Sequence, residues 1–292
     1  MPVHSHNDYW QRVPLWEALG SGCIGVEADV HLKKSDLLVG HSSLGLEKKN
    51  TLRALYLDPL QRIITAQNEN TTGKGGDWKG IFNRASKQTV VLLIDLKSSA
   101  EETFTELNTQ LQPLRDLDLL THWNGTHRIM RPLTIVATGN TLFTSILNLN
   151  SSHRDIFFDA KLEQLPCSGD DWTNLHVPIY RYNASNSYYA STRISSARVE
   201  KYRFSPGAEQ EAATIAGDNP QFLDFSDSQP NQAKRRGLVT RYWDIKKQKN
   251  EEEGLWRWLM DNDAVGVLNM DDMGVVRDRA RGWANFMKRV EV

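Results

Sequence analysis

Four short stretches of this 292-residue chain carry side chains that could act on a common target. Glu27-Ala28-Asp29 and Asp95-Leu96-Lys97 each set two ionisable groups two residues apart, and His6 and His41 each close a strand-like run. On an extended strand, residues two apart share a face. Each pair therefore presents both of its groups to one side. Three carboxylates gathered in one mouth repel unless protonation or a cation compensates, and a small cluster of hard oxygen ligands suits one Mg2+ or Ca2+ ion. Two imidazoles beside such an ion suit acid and base work. Cleaving a phosphodiester needs an activated nucleophile, a protonated leaving oxygen and neutralised phosphoryl charge. Two imidazoles, a divalent ion and an ammonium group can supply all three.

These residues can meet only if the strands that carry them are neighbours. Hydrophobic periodicity predicts strands at Pro2 to His6, Ile24 to Val30, Val90 to Lys97, Leu133 to Thr138, Asp155 to Ala160, a weakly marked one near Val177 to Ser185, Val239 to Trp243, and Ala264 to Asn269. Helical patterning falls between them at Leu52 to Gln67, Thr103 to Leu114, Asn140 to Leu149 and Leu255 to Asp261. Pro14 and Gly20 read as the start and stop of a first helix, and Ser98-x-x-Glu101 reads as a capping box. Asn68 to Lys79 reads as a surface loop and Lys161 to Pro178 as irregular. Leu37 to Gly40 is expected as a small extra strand that returns His41 to the rim. Eight strands alternating with helices predict a (β/α)8 TIM barrel, an α/β fold whose site lies at the carboxyl ends of the strands. No linker or low-complexity tract divides the chain, so residues 1–292 are expected to form a single domain.

Composition bounds the function. Hydrophobic residues at 39% and charged residues at 24% fit a globular protein rather than a disordered one. Thirty-five basic against 36 acidic residues leave a net charge of -1, which argues against nucleic acid as the main partner. The apolar run Val90 to Ile94 is far too short to cross a bilayer. Val3-His4-Ser5-His6 reads as folded structure rather than a leader, so a targeting segment is expected only upstream if at all. Cys23 and Cys167 are too few for a disulfide framework and are expected to be reduced. Sequons at Asn70, Asn124, Asn150 and Asn183 leave the compartment open.

His6-Asn7-Asp8, Glu27-Ala28-Asp29, His41 and Asp95-Leu96-Lys97 together resemble the superfamily of glycerophosphodiesterases, phosphatidylinositol phospholipases C and sphingomyelinases D. The chain is more closely similar to the fungal altered-inheritance-of-mitochondria group of phospholipase-C-like phosphodiesterases. That likeness rests on His4-Ser5-His6-Asn7-Asp8-Tyr9, Asn186-Ser187-Tyr188-Tyr189-Ala190-Ser191, Arg241-Tyr242-Trp243-Asp244 and Gly266-Val267-Leu268-Asn269-Met270-Asp271-Asp272. The resemblance implies a barrel spanning the chain in which His6 and His41 are catalytic and Glu27, Asp29 and Asp95 hold one Mg2+ or Ca2+ ion. It further implies that Lys97, Trp243 and Asn269 bind substrate: Lys97 on the phosphate, Trp243 bordering the pocket as in spider-venom-type phospholipases, and Asn269 orienting a catalytic group. The substrate so implied is a small or phospholipid-derived phosphodiester, with room for peripheral membrane contact and without nucleic acid or an obligate protein partner. The chain departs from glycerophosphodiesterases at the first motif, carrying His6-Asn7-Asp8 where they usually have His-Arg-Gly.

Two other readings compete. His4-Ser5-His6 is also a His-x-His at a first strand, the start of an amidohydrolase-type zinc site, but His31, His122, His127, His153 and His176 do not fall at the ends of the middle strands. A barrel serving as a binding scaffold without turnover is the other. His4 shares a face with His6 but lies deeper, and reads as a hydrogen-bonded core residue. Arg241 could bind phosphate or pair with a buried carboxylate. The basic runs Lys234-Arg235-Arg236 and Lys246-Lys247-Gln248-Lys249 read as solvated helix ends.

Overall fold

A computed structural model describes residues 2–69, 78–165, 182–193, 229–244, 266–274 and 276–277. In chain order the strands are β1 (Val3–Ser5), β2 (Gly25–Lys33), β3 (Asp36–Val39), β4 (Val90–Leu96), β5 (His122–Trp123), β6 (Arg128–Ile129), β7 (Leu133–Gly139), β8 (Ile156–Lys161), β9 (Ser187–Arg193), β10 (Val239–Trp243) and β11 (Val267–Met270). The main sheet runs β1-β11-β10-β9-β8-β7-β4-β2-β3, and β1 also pairs with β2. Eight parallel strands thus close on themselves as an α/β barrel of the TIM type, and β3 adds to β2 as an antiparallel flank. Burial on both faces explains why β4 reads as a near-continuous apolar run, whereas β2 alternates apolar residues with Glu27, Asp29 and His31 although these too are buried. Among the described residues, no helix is long and apolar enough to cross a membrane.

The described residues fall into two compact units, one within Val3–Phe158 and from Met270 onward, the other within Asp159–Asn269. In the first unit, β2 pairs in register with β4, and β4 with β7, so that Asp29 faces Asp95 and Asp95 faces Thr138. One face of β2 packs Val26, Ala28 and Val30 at zero exposure, and the alternate residues Glu27 and Asp29 point to the opposite face. The helices Asp58–Asn68 and Ala100–Gln110 follow β3 and β4, with Pro59 at the start of the former and Glu101 and Glu102 in the first turn of the latter. In the second unit β9 pairs with β10, and β10 with β11, all parallel.

Several expectations shift. The sixth strand of the barrel is Ser187–Arg193 rather than Val177 to Ser185, part of which lies outside the described residues. Buried serines and a threonine stand beside Tyr188, Tyr189 and Ala190 in it, so no apolar period shows. The capping box does not form: the N-cap is Ser99, and the Ser98 hydroxyl instead accepts the Leu32 N–H across strands at 2.9 Å. The first helix begins at Trp16, not Pro14, and Gly20 is its last residue. The helix expected at Leu255 to Asp261, the basic run 246–249, His176, Cys167 and Asn70 lie outside the described residues. Cys23 is buried and unpaired by any disulfide. Lys234 and Arg235 end the helix Gln229–Arg235, as a solvated helix end should.

Candidate active site

The first unit gathers its chemistry where β1, β2 and β4 end. The in-register pairing of Asp29 with Asp95 sets two carboxylates side by side, and Glu27 joins them from one step earlier on the same face of β2. One oxygen from each of the three lies within 4.8 Å of the others, and among the described residues no other group of three such ligands occurs. Asp29 Oδ1 and Asp95 Oδ1 are buried without a hydrogen-bond partner. Leaving buried carboxylate oxygens unsatisfied is expensive. A hard cation is the species that such oxygens fit.

Lys97 moderates the repulsion, its Nζ donating to Asp95 Oδ2 at 2.7 Å and lying 3.2 Å from Asp29 Oδ2. Burial disfavours the Lys97 ammonium, but the two carboxylates outweigh it and hold its pKa above the ordinary lysine value. At Asp95 the balance is reversed. Burial pushes its carboxyl up to about 6 despite Lys97, with Asp29 and Glu27 adding to the rise. Gly139, opposite Leu96 on β7, is a necessity of this arrangement. A Cβ there would overlap Asp95 Oδ1, and its φ of 68° is left-handed.

His41 arrives as expected from the return of β3. Val39 pairs with Val30, the Gly40 N–H donates to the Asp29 carbonyl at 3.0 Å, and His41 Nδ1 then lies 3.1 Å from Asp29 Oδ2. His6 follows β1, with Nδ1 at 2.7 Å from Asp271 Oδ1 and Nε2 at 3.8 Å from Glu27 Oε2. An ionised carboxylate only accepts, so the Nδ1 that faces each aspartate is the donor of that contact. His4 is fully buried, as its depth implied, with Nε2 3.7 Å from Glu27 Oε2.

Three residues escaped assignment from sequence. Asp271 follows the last strand and meets His6 only through tertiary folding. The Tyr9 hydroxyl lies 2.7 Å from Asn7 Oδ1, 2.9 Å from Asp29 Oδ2 and 3.3 Å from His41 Nδ1. Burial and then the Asp29 charge raise its pKa well above the usual tyrosine range, so it remains a donor. Asp8 is entirely buried and accepts from Ser5 Oγ at 2.8 Å, Leu15 N at 2.6 Å and Tyr56 Oη at 3.0 Å. Its motif position concealed a purely structural duty: it ties the segment after β1, with left-handed Asn7 and positive-φ Leu15, to the π-helical turn Arg53–Leu57. The motif His6-Asn7-Asp8-Tyr9 was the only available signal for Tyr9 and Asp8, and it gave neither a role.

Trp243 and Asn269 belong to the second unit. There Arg241 donates to Asn269 Oδ1 at 2.7 Å and to Ser191 Oγ at 3.1 Å, and lies 3.6 Å from Asp159 Oδ2. Arg241 therefore pairs with a buried carboxylate. The Arg193 guanidinium stacks 4.9 Å from the Trp243 ring centroid. Of the other histidines, His122 and His153 stack on each other with centroids 4.1 Å apart, and His31 is buried on β2.

Residues 1–159 match the family described as the AIM6-like phosphodiesterase domain, a span that contains His6, His41, all three carboxylates and Lys97. Similar proteins extend the likeness further. The altered inheritance of mitochondria protein 6 homolog of Arthroderma benhamiae is 32% identical over 294 residues, covering 95% of this chain and 83% of its own length. The altered inheritance of mitochondria protein 6 of Eremothecium gossypii is 34% identical over 280 residues, covering 94% and 68%. That of Kluyveromyces lactis is 38% identical over 296 residues, covering 93% and 70%.

Proposed function

The chain belongs to the AIM6-like phosphodiesterase family, and from that membership and the chemistry of its site we propose that it cleaves phosphodiesters with a divalent ion and two histidines. The observation that carries the reading is the buried carboxylate cluster with two unsatisfied oxygens, bordered by imidazoles whose Nδ1 atoms are each held by an aspartate. Glu27, Asp29 and Asp95 would hold one Mg2+ or Ca2+ ion, which would neutralise charge on the phosphoryl oxygens.

The chain's own residues do the rest. One imidazole takes the proton from the attacking hydroxyl through Nε2, the oxygen bonds to phosphorus, and the bond to the leaving oxygen breaks as the other imidazole protonates it. Water as the nucleophile yields a monoester and an alcohol, whereas a hydroxyl of the substrate itself yields a cyclic phosphate and an alcohol. Lys97 offers its ammonium to a phosphoryl oxygen. Tyr9 holds Asp29, which in turn orients His41. Trp243 and Asn269 are proposed substrate contacts, tested by the KM of their alanine variants. The substrate class is a small or phospholipid-derived phosphodiester.

Hydrolysis of a chromogenic phosphodiester should require Mg2+ or Ca2+ and stop with a chelator. His6→Ala and His41→Ala should each lower the rate at least about a hundredfold, the scale of acid–base catalysis. Folded variants that turn over at the original rate would reject the assignment, and phosphorus NMR of the product distinguishes monoester from cyclic phosphate.

A further inference from the structure

Beside the carboxylates, the first unit exposes apolar side chains that its core does not use. Trp10 is 62% exposed, Trp16 50%, Val13 45% and Leu44 86%. Among the described residues the other large exposed apolar side chains, Leu117, Met130 and Leu142, are scattered over three separate segments, as single surface residues commonly are. The first four come from two segments that adjoin. One follows β1 and the other follows His41, and the Trp10 ring lies 5.3 Å from the His41 ring.

We infer that residues 10–16 and 41–49 seat this end of the first unit on a membrane surface containing anionic phospholipid. Tryptophan is the side chain that favours the headgroup zone, where its apolar ring is buried and its N–H is wet. Two exposed indoles with a valine and a leucine form an anchor that enters the interface without spanning it. The charges around them complement acidic headgroups. Arg12, Lys48 and Lys49 are exposed, and Glu47 is the single acid in the two segments. Lys49 is paired with Glu47 at 2.9 Å, while Arg12 and Lys48 make no ion pair among the described residues. A net charge of -1 over the whole chain makes this local excess a feature of the segments rather than of the composition. The inference stands on exposure and charge and does not depend on the proposed reaction.

Co-sedimentation with phosphatidylcholine vesicles containing roughly 30% phosphatidylserine tests it. The protein should bind, release as salt rises, and bind poorly to phosphatidylcholine alone. Trp16→Ser combined with Leu44→Ser should lower partitioning about tenfold or more, and Arg12→Gln with Lys48→Gln should do likewise. The Trp16→Ser, Leu44→Ser variant should keep its rate on a soluble chromogenic diester within about twofold, since both side chains are solvent-exposed and neither is assigned a part in the reaction. Absence of vesicle binding overturns the inference, as does a double variant that binds like the parent. A dimer in sedimentation equilibrium that Trp16→Ser and Leu44→Ser abolish, without vesicle binding, assigns the surface to a second copy instead. Vesicle binding by a protein that hydrolyses no phosphodiester upholds the membrane seat and rejects the reaction.

Discussion

Asp8 and Asp29 lie 21 residues apart in sequence, both buried in the first unit, yet they occupy opposite electrostatic situations. Asp8 accepts three hydrogen bonds from a hydroxyl, an amide and a phenol, and no cation lies among these partners. Asp29 has a lysine, an imidazole and a tyrosine around one oxygen, but its other oxygen and that of Asp95 are left bare. A buried carboxylate whose oxygens are served by neutral donors is structure. One whose remaining oxygens have no donor, beside two more carboxylates, gains most from a nearby positive charge, which is what the proposed ion would supply. In the second unit the buried acid Asp159 has a guanidinium for company instead of further carboxylates, because Arg241 lies 3.6 Å from its Oδ2 while binding Asn269 and Ser191.

The sharpest way to break this comparison is to delete the satisfied acid. Asp8→Ala strands three buried donors and should lower unfolding free energy by about 4 kcal/mol, read by urea denaturation. The melting-temperature rise on adding Mg2+ or Ca2+ should persist in whatever fraction stays folded. Loss of ion binding with unchanged stability would reverse the roles assigned to the two regions.

A smaller effect comes from pH. The folded-state pKa of Asp95 is raised from 3.8 to about 6, so the folded form takes up a proton more readily than the unfolded one. Its contribution to stability is therefore full below about pH 4 and is lost as pH rises through 6, on the order of 2 to 3 kcal/mol. Urea unfolding in chelator should show this decline relative to Asp95→Asn, and saturating divalent ion should cancel it. A parent and variant with parallel pH profiles would remove Asp95 from the cluster's electrostatics. Smallest is Glu27→Gln, which takes one charge from the cluster without removing a lysine partner. In chelator it should raise stability by about 1 kcal/mol or less, while the ion-induced rise in melting temperature disappears.

The barrel was legible because β4 is buried on both faces and spells out an apolar run that Asp95 alone interrupts, while β2 alternates apolar residues with Glu27 and Asp29 at the period of a strand. Strand-pair spacing alone placed both acids of β2 on one face, and the register with β4 then brought Asp95 level with Asp29. The strand at Ser187–Arg193 was misplaced because it buries Ser187, Ser191 and Thr192 together with Tyr188, Tyr189 and Ala190, so no apolar period marks it. Ser98 misled for a different reason: the same hydroxyl that could cap its own helix found a better partner on β2. Asp271, Tyr9 and Gly139 could not be assigned by local pattern at all. Each matters through an atom more than 15 residues away, supplied by the fold.

One imidazole of the site rides on an added ply rather than a barrel stave. Because β3 runs antiparallel on β2, with Val39 opposite Val30, the distance from Lys33 through the turn to His41 acts as a gauge of chain length. Lengthening that turn by a single residue would slip the pairing and turn His41 to the other face, leaving the barrel closed and the carboxylates in place. The hairpin is thus a separable adjustment, able to disarm or re-aim the chemistry without disturbing the architecture beneath it.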